Sequence, residues 1–130
     1  MNSPAVDIAN ILASSAFSYG VVGTDLFVSR EPLEPVNCTT IYDTGGYEPE
    51  SADVVYDRPT IMARVRNSSY ASGYAKAQAI KTALHKANQI TEGGTRYIAL
   101  WAQSDILFIG YDDSNRALFT INFRIHRTNT

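Results

Sequence analysis

Apolar and polar residues recur with two distinct periods along this chain, and those periods assign its elements. Near the amino terminus Val6, Ile8, Ala9, Ile11, Leu12 and Ala16 follow a helical spacing. Ser3 as N-cap and Pro4 at the first helical position predict a helix from Pro4 to Phe17, ended by Gly20 and Gly23. Asp25–Ser29 reads as a short strand, Pro32 and Pro35 break the chain, and Val36–Asp43 is a second, β-branched strand. Thr44-Gly45-Gly46-Tyr47 predicts a turn, with an exposed acidic loop running on to Asp57. A strand opening at Pro59 puts Ile61, Ala63 and Val65 on one face and Thr60, Met62, Arg64 and Arg66 on the other. Asn67-Ser68-Ser69 caps the longest predicted helix, Tyr70–Gln89. Its apolar stripe is Tyr70, Tyr74, Ala77, Ile80, Ala83 or Leu84, and Ala87, and Glu92-Gly93-Gly94 stops it. Three strands close the chain: Arg96–Ala102, Ile106–Tyr111 and Ala117–Arg127, the last two joined by a turn at Asp112-Asp113-Ser114-Asn115. The final strand carries the clearest alternation, Ala117, Phe119, Ile121, Phe123 and Ile125 against Leu118, Thr120, Asn122, Arg124 and His126.

These elements predict an α+β fold. It has two layers, an antiparallel sheet with an N-terminal helix and one long central helix packed on one face. The length of 130 residues fits one domain spanning 1–130. An apolar fraction of 45% against 18% charged residues excludes disorder and coiled coil. No apolar run is long enough to span a membrane, and the leading residues lack a basic segment, so neither a membrane partner nor a secretory signal is expected.

Charge changes the picture more than composition does. Seven acids and no base lie between Glu31 and Asp57, and ten bases against four acids follow from Arg58 onward. Such a split means pairing within the chain or complementary faces on neighbouring subunits. The interface residues expected from it are Arg58, Arg64, Arg66 and Met62 on one side. On the other are Asp43, Tyr47, Glu48, Glu50 and Asp53, in a projecting hairpin whose tip is expected near Gly45–Asp53. Arg64 and Arg66 share a strand face that a single helical layer leaves open until a neighbour covers it.

Enzymatic chemistry has little to stand on. Nucleophile-elbow, Walker, zincin and dinucleotide motifs are missing from the sequence. Cys38 and His85 form a conceivable nucleophile–base pair, but a cysteine in a β-branched strand is expected to be buried and inert. Asp112, Asp113 and Asn115 lack the ligand spacing of a calcium loop and read as a turn. A single cysteine with His85 and His126 makes neither a disulfide nor a zinc site. No catalytic residue, metal or cofactor is therefore expected. The net charge of −2 does not suggest a general nucleic-acid binder.

Four segments carry a resemblance. They are Asn37-Cys38-Thr39-Thr40-Ile41-Tyr42-Asp43-Thr44-Gly45-Gly46, then Tyr56-Asp57-Arg58-Pro59-Thr60-Ile61-Met62-Ala63-Arg64-Val65-Arg66, the helix Tyr70 through His85, and Phe119-Thr120-Ile121-Asn122-Phe123-Arg124-Ile125. In this order they resemble the bacteriophage minor capsid family of small neck and tail-completion proteins, similar to siphophage tail terminators. The resemblance implies a structural, non-enzymatic virion protein in the tail and neck, assembled in the host cytoplasm. It implies a hexameric ring that caps the tail tube and joins it to the head. The implied partners are further copies of the chain, the major tail tube protein and the head–tail connector or stopper proteins, with phage DNA passing through unread. A head-completion or stopper protein is the alternative.

Overall fold

The computed structural model describes residues 1–49 and 56–128. Helix α1 spans Pro4–Ala13. The Ser3 hydroxyl accepts from the Val6 N–H, and Pro4 opens the first turn, as the sequence predicts. The helix ends earlier than Phe17 because Ser14 turns extended, its hydroxyl and N–H both donating to the Ile11 carbonyl. Ala5, Asp7, Ile8, Ala9, Ile11 and Leu12 are all buried, so α1 lies deep in the core.

Among the described residues seven strands form: β1 (Leu26–Val28), β2 (Cys38–Tyr47), β3 (Tyr56–Asn67), β4 (Asn88–Glu92), β5 (Thr95–Ala102), β6 (Leu107–Tyr111) and β7 (Ala117–Thr128). They form one sheet in the order β1-β2-β3-β7-β5-β4, with β6 also paired to β7. The pairing is antiparallel except for β1, which runs parallel to β2. The expectation of a wholly antiparallel sheet is corrected there: the segment of nine residues between β1 and β2 crosses back instead of turning tightly.

Two other expectations fall to backbone chemistry. Thr44–Tyr47 is not a turn but the end of β2, in register Gly46↔Pro59 and Tyr47↔Arg58 after a bulge that follows Asp43. Gly45 and Gly46 supply the positive φ values a bulge needs. A Cβ on Gly46 would sit 2.5 Å from the Arg58 carbonyl oxygen. Helix α2 spans Tyr70–Leu84 and stops short of Gln89. His85 is extended, Lys86 and Gln89 take positive φ, and the Lys86 N–H donates to the Leu100 carbonyl. The chain so turned becomes β4, a strand the helical reading hid.

One core cluster joins Ile8, Ile11 and Leu12 of α1 with Ile80 and Leu84 of α2 and Ile41, Ile61, Ala63, Ile121, Phe123 and Ile125 of the sheet. The alternation read in β3 and β7 is thus the burial pattern. The stripe of α2 is partly rephased: Gly73, Ala77, Ile80 and Leu84 are buried, whereas Tyr70 and Tyr74 are exposed. Strands β5 and β6 lie end to end along β7, β5 against its second half and β6 against Ala117–Thr120. Strand β4 extends the sheet beyond β5 only.

Candidate functional site

The arginines singled out by charge have three different fates. Arg66 is only 4% exposed. Its guanidinium donates to the carbonyls of Pro32 (2.6 Å), Pro35 (2.8 Å) and Val36 (3.0 Å) and to the Glu31 carboxylate (2.9 Å). Arg64 Nε lies 2.8 Å from the other oxygen of Glu31. The expectation that this face stays open until a neighbour covers it is corrected at Arg66, which the chain's own segment 31–37 covers, while Arg64 stays about a third exposed. Two prolines deprive that segment of N–H donors for regular pairing, so its carbonyls must find donors elsewhere. Arg66 supplies several at once, in a planar fork that lysine lacks. The acidic block does meet the basic one here, but within one chain.

Arg58 instead bridges the end of β2 and the start of β3, its Nε and Nη2 donating to the Glu48 carbonyl at 2.9 and 2.7 Å. Met62 is half-buried on the sheet face opposite the core cluster. Asp43 accepts from the Ala5 N–H at 2.9 Å and so caps α1 from a distant strand. Glu48 is exposed, while Glu50 and Asp53 lie outside the described residues. Of the expected tip at Gly45–Asp53, residues 50–53 likewise lie outside them, and Gly45, Gly46 and Tyr47 are strand.

Tyr47 belongs to a ladder on this same face. The Arg124 guanidinium sits 4.1 Å from the Tyr47 ring centre and 5.6 Å from that of Trp101. Trp101 meets His126 edge-on, and the Tyr56 hydroxyl is 3.0 Å from His126 Nδ1. Gln103 donates to the Tyr47 hydroxyl at 2.8 Å. Tyr47 and Tyr56 thereby tie the ends of both arms of the hairpin to β5 and β7.

An aromatic and aliphatic patch escaped the sequence reading. Tyr70, Tyr74, Leu107, Phe108, Ile109 and Tyr111 are all exposed. Phe108 packs edge-on against Tyr70 and Tyr111 and tilted against Phe119. The signal was present in the unbroken run Ile106-Leu107-Phe108-Ile109, which reads as a buried strand unless its edge is known to be unpaired.

The enzymatic candidates do not come together. Cys38 is buried, and burial pushes its thiol up. It borders a cavity of about 390 Å³ with Tyr19, Asn67 and Lys76. His85 lines a different groove, and its Nδ1 accepts from the Ala102 N–H at 3.0 Å. Asp112 is the organiser of its own turn: it accepts from the Ser114 and Arg116 N–H groups and from Arg116 Nε, bonds that hold its carboxyl below the usual range. Among the described residues no group of three or more His, Cys, Asp and Glu is placed to hold a metal ion, and no helix is long and apolar enough to cross a membrane.

The structure is an open mixed sheet carrying two helices, with a hairpin tied to its neighbouring strands and an exposed apolar patch, and it brings no catalytic constellation together among the described residues. Residues 15–129 match the bacteriophage tail terminator protein family, and the chain belongs to that family. Among curated proteins none matches it in sequence. A chain in the solved structure "Virion of native gene transfer agent (GTA) particle" is similar in fold, with a TM-score of 0.67 at 15% identity, over 96% of this chain and 94% of that one. The protein is thus a structural component of a phage tail and neck.

Proposed function

We propose that this protein is the ring that ends the phage tail tube and joins it to the head. The family match over residues 15–129 carries the reading. Helices α1 and α2 form one layer on one face of the sheet, and the opposite face and the hairpin are left to contact other subunits. A hexamer needs two different patches on each subunit, because closed rings of one chain use heterologous contacts. The hairpin residues Tyr47 and Glu48 with Arg58 form one such contact, to the neighbouring copy or to the tail tube protein. Met62, Asp43, Glu50 and Asp53 remain part of that proposed surface. Arg64 and Arg66 act behind it by holding segment 31–37. The connector or stopper proteins bind the head-proximal side, and DNA passes through without sequence-specific contact. The ring is completed in the host cytoplasm.

The experiment is tail assembly with and without this protein. Tubes polymerised without it should run past their normal length, and adding it should stop growth and leave one ring at the end. Tails of unchanged length, with the protein found on the head vertex, would make it a stopper instead.

A further inference from the structure

Four arginines of this chain face a carboxylate: Arg64 and Arg66 share Glu31, Arg116 has Asp112 and Arg127 has Asp57. Arg124 differs from them. It is half-buried on the sheet face opposite the helices. Among the described residues no carboxylate lies within ion-pair distance of it, and its Nε is buried without an acceptor. A charged donor withdrawn from water and left without an acceptor is costly.

What holds Arg124 is aromatic. Its guanidinium lies 4.1 Å from the Tyr47 ring centre and 5.6 Å from that of Trp101, the residue opposite it on β5. Both rings are themselves fixed: Gln103 donates to the Tyr47 hydroxyl, and His126 meets Trp101 edge-on. Ring faces attract the cation but leave the guanidinium fork, with its N–H donors, without a planar acceptor. An arginine clamped in this way has given up its side-chain freedom before any partner arrives, which removes part of the usual cost of binding. Such a fork gains most from a planar, charged acceptor that takes two hydrogen bonds at once.

We infer that Arg124, between Tyr47 and Trp101, is a carboxylate-binding site, filled in the virion by an Asp or Glu side chain of an adjoining protein chain. The inference rests on the chain being built into a tail and not on which ring it forms. A carboxylate fits better than the phosphates of DNA. A phosphate backbone is held by a stripe of uncommitted cations, whereas Arg64, Arg66 and Arg127 are spent on carboxylates and Arg58 holds the Glu48 carbonyl. One guanidinium matches one carboxylate. Arginines clamped against aromatic rings are also the side chains on which protein contacts most depend.

The test is zero-length coupling in purified tails. Arg124→Lys places an amine at the site, and a carbodiimide joins an amine only to a carboxylate in contact with it. The Lys81–Asp105 pair, at 2.8 Å, is the internal control for the reagent. Mass spectrometry should find residue 124 joined to an Asp or Glu of another chain, and the mass of the linked peptide tells a second copy from a different tail protein. Coupling only to an acid of its own chain, or none while the control pair couples, would overturn the site. As a second readout, Arg124→Gln should lower incorporation into tails at least about tenfold, with the melting temperature of the isolated chain held near wild type, and Arg124→Lys should enter tails better than Arg124→Gln. Normal incorporation of Arg124→Gln, or equal exclusion of both folded variants, would mean that stacking and not charge is what the site supplies. Duplex DNA retained by the isolated wild-type protein and not by Arg124→Gln would give the site to a phosphate instead. Tails that contain none of the wild-type protein would overturn the tail reading itself, a failure seen before any variant is made.

Discussion

The Tyr97 hydroxyl donates a 2.5 Å hydrogen bond to the Asp7 carboxylate, 90 residues away in the chain, and both side chains are fully buried. Asn2 Nδ2 donates to the other carboxylate oxygen at 3.1 Å. The position of Asp7 in the first turn of α1 adds the favourable end of the helix dipole. Gly93 closes the site: a Cβ there would lie 2.7 Å from the Asp7 carboxylate, at a φ of +58°. A buried charge is tolerated only when it is bonded this fully. Tyr97→Phe removes one donor and keeps the ring, so it should cost about 1–3 kcal/mol. Urea unfolding followed by far-UV circular dichroism reads the loss. An unchanged midpoint would show that water takes over the bond.

Alkaline pH should destabilise the fold through two tyrosines. Burial pushes Tyr19 up to about 12, against the lowering effect of its bond to Thr39. Burial first, and then the Asp7 bond, raises Tyr97 as well. Both phenols therefore keep their protons in the folded chain at pH values where the unfolded chain has lost them. That stabilisation is complete below the unfolded value near pH 10 and is lost as pH rises through the folded values. Each tyrosine should contribute a slope of about 1.4 kcal/mol per pH unit above pH 10. Thermal melts from pH 8 upward measure it, and Tyr97→Phe should remove one of the two contributions.

What could be read in the sequence was what one period or one cap determines. The alternation of β3 and β7 and the Ser3-Pro4 start of α1 are local signals, and the structure keeps them. What could not be read depended on distant partners. Strand β4 follows α2 because Lys86 and Ala87 bond to Leu100, and no spacing within 85–92 records that. Tyr70 and Tyr74 fit a helical stripe but fall beside Phe119 at the rim of the sheet. The charge blocks announced a pairing between acids and arginines without saying that Glu31 and Arg66 would complete it within one chain.

Gly73 places helix propensity and packing in direct conflict. Ala is preferred over Gly inside a helix by about 1 kcal/mol. Yet a Cβ at Gly73 would lie 2.6 Å from the Phe119 ring and 3.1 Å from the Asn67 side chain. Phe119 is fully buried, so its ring has nowhere to retreat. Overpacking of a core costs about 1–3 kcal/mol, which should outweigh the propensity gain. Gly73→Ala should thus lower the melting temperature, whereas Ala75→Gly, on the exposed side of the same helix, should cost only the propensity. A stabilised Gly73→Ala variant would mean that α2 slides along the sheet.

Arg64 and Arg66 share one carboxylate but should behave differently when mutated. Arg64 is about a third exposed, and an ion pair in that setting is worth about 0–1 kcal/mol. Arg66 is buried and bonded to the Glu31 carboxylate and to the carbonyls of Pro32, Leu33, Pro35 and Val36. Removing it leaves the Glu31 carboxylate and four carbonyls of a partly exposed segment without their shared donor, a loss of about 1–3 kcal/mol. Lysine cannot replace it, because one ammonium cannot reach acceptors spread along a turn. Arg64→Ala should therefore leave the unfolding midpoint nearly unchanged, and Arg66→Lys should lower it clearly. Reversing both to Glu should unfold segment 31–37 in the isolated chain, before any neighbour is involved. Limited proteolysis within segment 31–37 reports this directly: protection from cleavage should vanish in Arg66→Lys and persist in Arg64→Ala. If both variants keep protection while tail assembly fails, the arginines work between subunits, and the role assigned to Arg66 inside the chain is wrong.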